Sequence, residues 1–387
     1  MSRIRITLGN GSLVGYPQAG GLWTLFLQYT LGLVALGHEV LWLEVFRSTG
    51  DAARDQKLID AFFGRVHDYG LDDHYAVLLH AKDEKPPTLE NGTVFGKSST
   101  EVKEWARTSD LLWNFASALR QPLLSLFNHR ALIDIDPGHF QVSALAWDMG
   151  QHDHQMFLTV GVKIGDSDCE VPTLGLRWHT FPPFVYLPMW HVSPDPGPQA
   201  PFTSITQWNW GEIWLENRVL SIAKRDAYLR YLDLPKRTGR TFQLAANIHP
   251  DDETGDRELL QSRCWNLVDP HDVAASPALY QQYISRSRAE ISCPKPIFRE
   301  LKTGWFSDRS ACYLASGRPV LAEDTGFRDR FPTGDGLVVF RDLEEAVAGV
   351  ANIDANYARH SQAARAFAEE FLDSGRCLKA MLTACGL

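Results

Sequence analysis

The stretch that decides the fold is residues 304–327, which read GWFSDRSACYLASGRPVLAEDTGF. The polar run 307–310 is typical of a helix start, and Gly317 is typical of a helix end. Pro319 then begins an apolar strand, 320–322, that can be buried on both faces. Because the first turn of a helix leaves N–H groups unpaired at the positive end of its dipole, this stretch predicts an anion-binding site at a sheet edge.

Polar residues on both sides of the predicted strand belong to this anion site. The helix start and the loop after the strand supply Ser307, Asp308, Arg309, Ser310, Glu323, Asp324, Thr325 and Gly326. Arg299 and Lys302 precede the helix, where they can neutralise a diphosphate leaving group. The alternative for these two cations is a solvated basic face.

The order of elements along the chain predicts an α/β protein. Apolar strands alternate with helical patterns from residue 5 to residue 136, and the alternation resumes after residue 201. Such alternation is typical of parallel, doubly wound sheets. A proline-rich stretch, 182–201, interrupts both patterns and separates two domains, and 387 residues are enough for two cores.

A glycine-containing loop, 15–22, lies between the first predicted strand and the first predicted helix. Gly20 and Gly21 allow a ligand to approach the backbone closely at the helix start, although Gly-Gly before a helix is often only a turn. The Gly-x-Gly at Gly9 and Gly11 lacks the third glycine of the dinucleotide-binding pattern.

Together these motifs resemble the GT-B glycosyltransferases, within them bacterial family-1 and family-4-like members. The family pattern has two acidic residues separated by seven others, followed by a small-Gly-x-Pro turn. The turn is present at 315–319, but Gly304 and Cys312 stand at the two acidic positions. Gly37-His38-Glu39-Val40 also resembles the turn that ends the first helix in that family.

The resemblance implies two Rossmann-like doubly wound domains that face each other across a cleft. Residues 1–195 would form the acceptor-binding domain and 196–372 the nucleotide-sugar donor-binding domain, with 373–387 packing back onto the first. The implied activity is transfer of a hexosyl or pentosyl group from a nucleoside diphosphate-sugar, for example a UDP-sugar, to a hydroxyl, with nitrogen as second choice. The acceptor, a small molecule or a polymer, stays open. No cofactor and no metal ion is expected, since the helix start replaces a cation.

Two other functions fit the same pattern. A GT-B-fold sugar-phosphate epimerase would use the same anion site without a separate acceptor. A non-catalytic nucleotide-binding scaffold protein would explain why Cys312 stands at an acidic position of the family pattern.

The candidate catalytic residues lie at the end of the first half. Asp136 follows an apolar strand, and His152 and His154 flank Asp153 in a later polar loop. A carboxylate or imidazole there can accept a proton from an attacking hydroxyl. The alternatives are an Asx-turn for Asp136 and a solvated loop for the histidines.

Two further groups are weaker candidates. Trp208 and Asn209 follow the first strand of the second domain and are predicted cleft residues that bind the donor, although most tryptophans between 178 and 214 would be packing residues. The pairs Asp134/Asp136 and Asp166/Asp168 match the spacing of a metal-bound diphosphate site, but the helix-based site needs no metal.

Composition limits the remaining functions. A formal charge of −9 argues against nucleic acid as the acceptor, although a local basic groove is compatible with that total. Six scattered cysteines without C-x-x-C spacing indicate neither a zinc site nor a disulfide framework. Without a run of 18 apolar residues or a signal-peptide pattern, we expect no transmembrane segment and a cytoplasmic protein.

Overall fold

The computed structural model describes residues 3–82, 86–249, 251–252 and 254–387. Its first sheet has eight strands in the order β4-β3-β2-β1-β5-β6-β7-β8, all parallel except the β3–β4 pair. The strands are β1 (Arg5–Asn10), β2 (Glu39–Arg47), β3 (Tyr75–His80), β4 (Thr93–Phe95), β5 (Leu111–Phe115), β6 (Arg130–Asp134), β7 (Met156–Thr159) and β8 (Trp178–Thr180).

Helices cover both faces of this sheet. They are α1 (Gly20–Ala35), α2 (Ala52–Asp68), α3 (Ser99–Thr108) and α4 (His139–Ala146). The central strands are therefore apolar on both faces, and β2 is buried over seven consecutive residues between Glu39 and Arg47.

The second sheet has six strands, all parallel, in the order β13-β12-β9-β14-β15-β16, and a separate hairpin pairs β10 with β11. The strands are β9 (Phe202–Thr206), β10 (Glu212–Leu215), β11 (Arg218–Ser221), β12 (Phe242–Ala246), β13 (Trp265–Val268), β14 (Ala289–Ser292), β15 (Val320–Glu323) and β16 (Leu337–Phe340). The helices are α5 (Lys224–Leu229), α6 (Leu234–Thr238), α7 (Asp256–Ser262), α8 (Pro270–Ala274), α9 (Pro277–Arg286), α10 (Pro296–Glu300), α11 (Asp308–Ala315), α12 (Leu343–Ala355) and α13 (Tyr357–Phe371).

This architecture confirms the predicted fold class of two doubly wound parallel sheets. The strand order of each sheet reverses beside its first strand, between β1 and β5 and between β9 and β14, and ligands of such sheets bind at this reversal. The sequence pattern from Glu258 to Trp265 predicts one helix, but α7 ends at Ser262 and Trp265 begins β13.

The last helix, α14 (Ser374–Ala384), packs against α1 of the first sheet. A Cβ atom placed on Gly32 would lie 2.5 Å from the Leu378 side chain, so only glycine permits this approach. The backbones of Val185 and Ser374 are hydrogen bonded at 2.9 Å nearby. The proline-rich segment and the end of the chain therefore meet beside the first sheet.

The carboxyl ends of the two sheets meet at the domain junction. Gly161, just after β7, forms a backbone bridge with Trp305, and the Lys163 N–H donates to the Thr303 carbonyl at 3.1 Å. The β10–β11 hairpin crosses the junction as well, because its Leu220 is buried in the core of the first domain. Among the described residues, no helix is long and apolar enough to cross a membrane.

Candidate active site

The predicted anion site is built at the start of α11. Ser307 is the N-cap residue, and its hydroxyl accepts a hydrogen bond from the Arg309 N–H at 3.2 Å. The helix ends at Gly317, whose φ of +69° is in the left-handed region that favours glycine. The strand β15 then runs to the same sheet edge and ends at Glu323.

Arg309 points under the helix and not toward a ligand. Its guanidinium donates to the Glu290 carboxylate at 2.5 Å and to the Ile205 carbonyl at 2.6 Å. Its third nitrogen lies 3.4 Å from the Ser292 hydroxyl, which Ser310 also approaches at 3.4 Å. Arg309 is 7% exposed. It therefore supports α11 from below, in contrast to the sequence-based interpretation of a direct phosphate ligand.

Lys224, the first residue of α5, is the cation that the sequence analysis missed. Its ammonium lies 5.3 Å from the centre of the Trp305 ring, beside the start of α11. Burial, with repulsion from Arg309 and Lys295, lowers the pKa of Lys224 to about 7. Within the described ranges, no carboxylate lies within 4 Å of Lys224 and no hydrogen bond joins its ammonium to another group. The available signal was its position after the first strand of the second domain, at the same sheet edge.

Asp308 lies between these cations and the first domain. Burial raises the pKa of its carboxyl group, while Arg309 and Lys224 oppose that rise. It lines a cavity of about 30 Å³ together with Tyr29 and Phe306. The start of α11 thus presents a carboxylate, a half-buried lysine and the positive end of a helix dipole at the domain junction.

Asp136 reaches the same junction from the first domain. Its carboxylate accepts a hydrogen bond from the Lys295 ammonium of the second domain and lies 3.3 Å from Nδ1 of His139. Burial alone would raise the pKa of Asp136, but Lys295 and His139 hold it below its ordinary value. The Oδ1 atom of Asp136 is buried without a hydrogen-bond partner in the described structure, so one acceptor position is open.

The two candidate histidines do not lie with Asp136. His154 is buried, its Nε2 accepts from the Asn114 amide at 3.0 Å, and its Nδ1 is 2.9 Å from the Gly150 carbonyl. This geometry requires a neutral ring, and burial lowers the pKa of His154 to about 4. His152 is exposed in the turn Gln151–Asp153, with Nε2 3.3 Å from the Gln151 amide.

Gly20 and Gly21 begin α1 at the domain junction. A Cβ atom on Gly20 would lie 2.4 Å from the Ala274 carbonyl oxygen, and one on Gly21 would lie 3.2 Å from the Tyr280 ring. The space beside these glycines is therefore occupied by the second domain.

Trp208 is a core residue. It is fully buried, and its Nε1 donates to Asp256 at 2.9 Å, in contrast to the predicted cleft position. Asn209 is exposed beside it. Trp210 is 60% exposed, with the Lys295 ammonium 5.3 Å from its ring centre.

The remaining predicted donor residues lie around a different cavity, of about 290 Å³, at the ends of β15 and β16. Arg299, Lys302, Asp324, Thr325 and Gly326 line it. Glu323 is instead buried and forms an ion pair with Arg230. Burial raises the pKa of Glu323, while Arg230 and Arg299 oppose that rise. The structure thus divides the predicted donor residues between two places.

Three of the four carboxylates in the two acidic pairs form ion pairs with protein cations, whereas Asp134 accepts hydrogen bonds from Gln141 and Thr159. Asp166 pairs with Arg330 at 2.6 Å, and Asp168 pairs with Lys163 at 2.6 Å. In the part of the chain that the structure describes, no group of three or more His, Cys, Asp or Glu side chains is arranged to hold a metal ion. The six cysteines are free thiols.

Comparison with solved structures shows the GT-B fold. An alpha-glucosyltransferase in complex with UDP-glucose and DNA matches with a TM-score of 0.62, 11% identity and full coverage of both chains. HepE from Anabaena, in complex with UDP and glucose, matches with a TM-score of 0.55 and 13% identity over 99% of this chain and 100% of that chain. Sucrose-phosphate synthase from Thermosynechococcus elongatus matches with a TM-score of 0.53 and 12% identity over 98% of each chain.

No family model matches the sequence, and no curated protein matches it significantly. At 10–13% identity these likenesses establish the fold. The activity must be argued from the site itself.

Proposed function

We propose that the protein transfers a sugar from a nucleoside diphosphate-sugar to an acceptor hydroxyl, with nitrogen as the second choice. The observation that carries this proposal is the start of α11, capped by Ser307 and flanked by the half-buried Lys224, at the carboxyl edge of the second sheet. Structural neighbours in complex with UDP or UDP-glucose support the choice of donor class. A glucosyl group, or another hexosyl group, is the first one to test.

In this proposal the donor diphosphate binds at the positive end of the α11 dipole, beside the Ser307 cap. Negative charge develops on the leaving diphosphate as the bond to the sugar breaks, and fixed N–H groups and cations stabilise it. Lys224 is the cation placed for this role, while Arg309, paired with Glu290, supports the helix from below. These groups require no bound metal ion or cofactor for the transfer.

Asp136 is the proposed base on the acceptor side. It belongs to the first domain, it faces Lys295 of the second, and its Oδ1 has no hydrogen-bond partner among the residues that the structure describes. Its lowered pKa keeps it ionised near neutral pH, and Lys295 holds it in place. His154 has both ring nitrogens engaged, which makes it a structural residue in this account.

The acceptor is a small molecule or a polymer. The DNA in the alpha-glucosyltransferase complexes belongs to those proteins, and the net charge of −9 here argues against the same acceptor.

Donor binding is tested by the thermal shift with UDP, GDP, ADP and TDP in the presence of a chelator. A ligand that binds only the folded state at about 100 times its Kd stabilises it by about 2.7 kcal/mol.

Lys224→Met should lower kcat/KM by roughly 10²–10³ because it removes one stabilising group for the leaving charge. The control is Lys236→Met, an exposed lysine on α6. A shift that requires added magnesium, or normal kinetics in Lys224→Met, would contradict the proposal.

Product analysis with a nucleotide-sugar panel distinguishes the three functions. Sugar transfer supports a transferase, an isomerised sugar supports an epimerase, and binding without turnover supports a scaffold protein.

If Asp136 is the base, Asp136→Asn should lower kcat by roughly 10²–10⁴ while nucleoside diphosphate affinity is retained.

A further inference from the structure

The cavity of about 290 Å³ at the ends of β15 and β16 is a separate feature of the domain junction. It shares no lining residue with the small cavity beside Asp308. The backbone bridge between Gly161 and Trp305 and the hydrogen bond from Lys163 to Thr303 join the two domains beside it. It is lined from both domains, by Lys163 and Asp168 of the first and by residues between 299 and 341 of the second.

Positive charge is concentrated around this cavity in a protein with a formal charge of −9. The cavity is lined by five cationic and three acidic side chains: Lys163, Arg299, Lys302, Arg328, Arg341, Asp168, Asp324 and Asp329. A cluster of like charges is unfavourable unless an opposite charge compensates it. Some of these cations form ion pairs with carboxylates of the protein, and others do not.

Two of the cations are fully paired. The Lys163 ammonium lies 2.6 Å from Asp168 and 2.7 Å from Asp329, and its side chain is 4% exposed. Arg341 forms a close ion pair with Glu345 on α12. These pairs leave Asp324 as the remaining carboxylate of the cavity wall.

Three cations lack close partners. Among the described residues, Arg299 approaches the carboxylates of Glu323 and Glu300 at 3.6 and 3.7 Å, and Arg328 approaches that of Asp324 at 3.9 Å. In the described structure Lys302 forms neither an ion pair within 4 Å nor a side-chain hydrogen bond. The backbone of Lys302 has a φ of +51°, a left-handed conformation that costs free energy in a residue with a side chain. A cation without a close partner therefore lies at the cavity wall on a backbone conformation of higher free energy.

The size and shape of the cavity fit a small anion-bearing molecule. Small-molecule sites in proteins begin at about 300 Å³, so this one suits a compact ligand of the size of a monosaccharide phosphate. Guanidinium groups bind phosphate oxygens through two parallel hydrogen bonds, and lysine adds a point charge. Arg299, Arg328 and Lys302 together supply both kinds of donor.

We propose that this cavity binds the phosphate group of a small phosphorylated molecule, separately from the donor diphosphate. Two kinds of ligand share this chemistry. One is a phosphorylated sugar acceptor, which rests on the proposed function, and the other is a free phosphorylated effector.

The first experiment measures binding of inorganic phosphate and glucose 6-phosphate by calorimetry without any nucleotide. Loss of one charge-assisted hydrogen bond weakens binding by roughly tenfold to a hundredfold, so Arg328→Glu and Lys302→Glu should each raise the Kd by at least that factor. The matched control is Arg107→Glu, an exposed arginine on α3. Because both tested side chains are exposed, the variants should fold, and a thermal melt checks this.

The second measurement separates this cavity from the donor site. Arg328→Glu should bind UDP with wild-type affinity while it loses glucose 6-phosphate. Consumption of the sugar phosphate in a transfer assay identifies it as the acceptor, and a changed rate without its consumption identifies an effector. Unchanged phosphate affinity in both variants would overturn the proposal, and so would a parallel loss of UDP binding, which would assign the cavity to the donor site. Failure of UDP to bind the wild type at all would instead contradict the proposed function.

Discussion

Two helices begin at the domain junction, α1 in the first domain and α11 in the second, and they differ in what surrounds their first turn. The cap residue of α1 is Ala19, which makes no side-chain hydrogen bond, and Gly20 brings the backbone of the second domain within contact distance. The α11 start has a Ser307 cap, Asp308 and the nearby Lys224. Both have the helix dipole, so the dipole alone does not define an anion site. In the proposed function, the charged side chains around α11 define it.

The largest expected effect breaks the support under α11. Arg309→Met leaves the Glu290 carboxylate buried without its cation, because that carboxylate is fully buried. Removing one partner of a buried ion pair costs about 3–5 kcal/mol of the free energy of unfolding. Chemical denaturation measures this loss.

The matched control for Arg309 is Arg107→Met, an exposed arginine paired with Glu104 on the surface. It should change the free energy of unfolding little, since exposed pairs are screened by water. An equal, small effect of both substitutions would show that Arg309 is not a structural support. A loss confined to donor affinity would restore the original interpretation of Arg309 as a phosphate ligand.

The second effect is a pH dependence of ligand binding, which we expect at the start of α11 and not at the start of α1. Because the pKa of Lys224 is lowered to about 7, the free protein loses this charge as pH rises above that value. The Kd of a nucleoside diphosphate should therefore increase by up to about tenfold per pH unit between about pH 7 and about pH 9.

Protein stability should respond in the opposite sense. The unfolded chain keeps the Lys224 proton up to its ordinary pKa, so the Lys224 contribution to stability increases with pH above about 7. Lys224→Met should remove both pH dependences, measured by calorimetry and by denaturation. A pH-independent Kd in the wild type would contradict the assignment of Lys224.

The third effect tests the start of α1. In Gly20→Ala the new methyl group would lie 2.4 Å from the backbone oxygens of Ala274 and Ser276, and backbone atoms cannot move aside cheaply. Such overpacking costs about 1–3 kcal/mol of the free energy of unfolding. Gly64→Ala is the matched control, because Gly64 lies within α2 with no atom near its Cβ position, and it should stabilise by about 0.5–1 kcal/mol. A Gly20→Ala variant at least as stable as the wild type would show that the domains do not pack tightly at Gly20.

The smallest effect separates the two histidines. His154→Ala removes a hydrogen-bond partner from the buried Asn114 amide and should cost about 1–3 kcal/mol of the free energy of unfolding. His152→Ala should leave stability close to wild type, because His152 is exposed. Denaturation and single-turnover transfer are measured for both. Loss of transfer at unchanged stability in His154→Ala would restore His154 as the candidate base.

Much of the fold could be predicted because its signals are local. The strand at 320–323 is apolar and follows Gly317 and Pro319, and these residues restrict the backbone wherever the chain places them. The hairpin at 212–221 was missed, since its inner face is buried only by contact with the other domain. Helix starts and strands are therefore easier to predict than elements that cross a domain junction.

Sequence by itself determined the α/β alternation, the helix–turn–strand unit at 304–323 and the polar start of α11, because hydrogen bonding and hydrophobic period act over a few residues. Only the tertiary structure decided where the site side chains point and how their pKa values are shifted. Arg309 binds the Ile205 carbonyl 104 residues away, and Asp136 meets Lys295 at a separation of 159 residues. The lowered pKa of Lys224 likewise arises from burial at the junction. Such contacts depend on how the two sheets pack, and no local pattern encodes them.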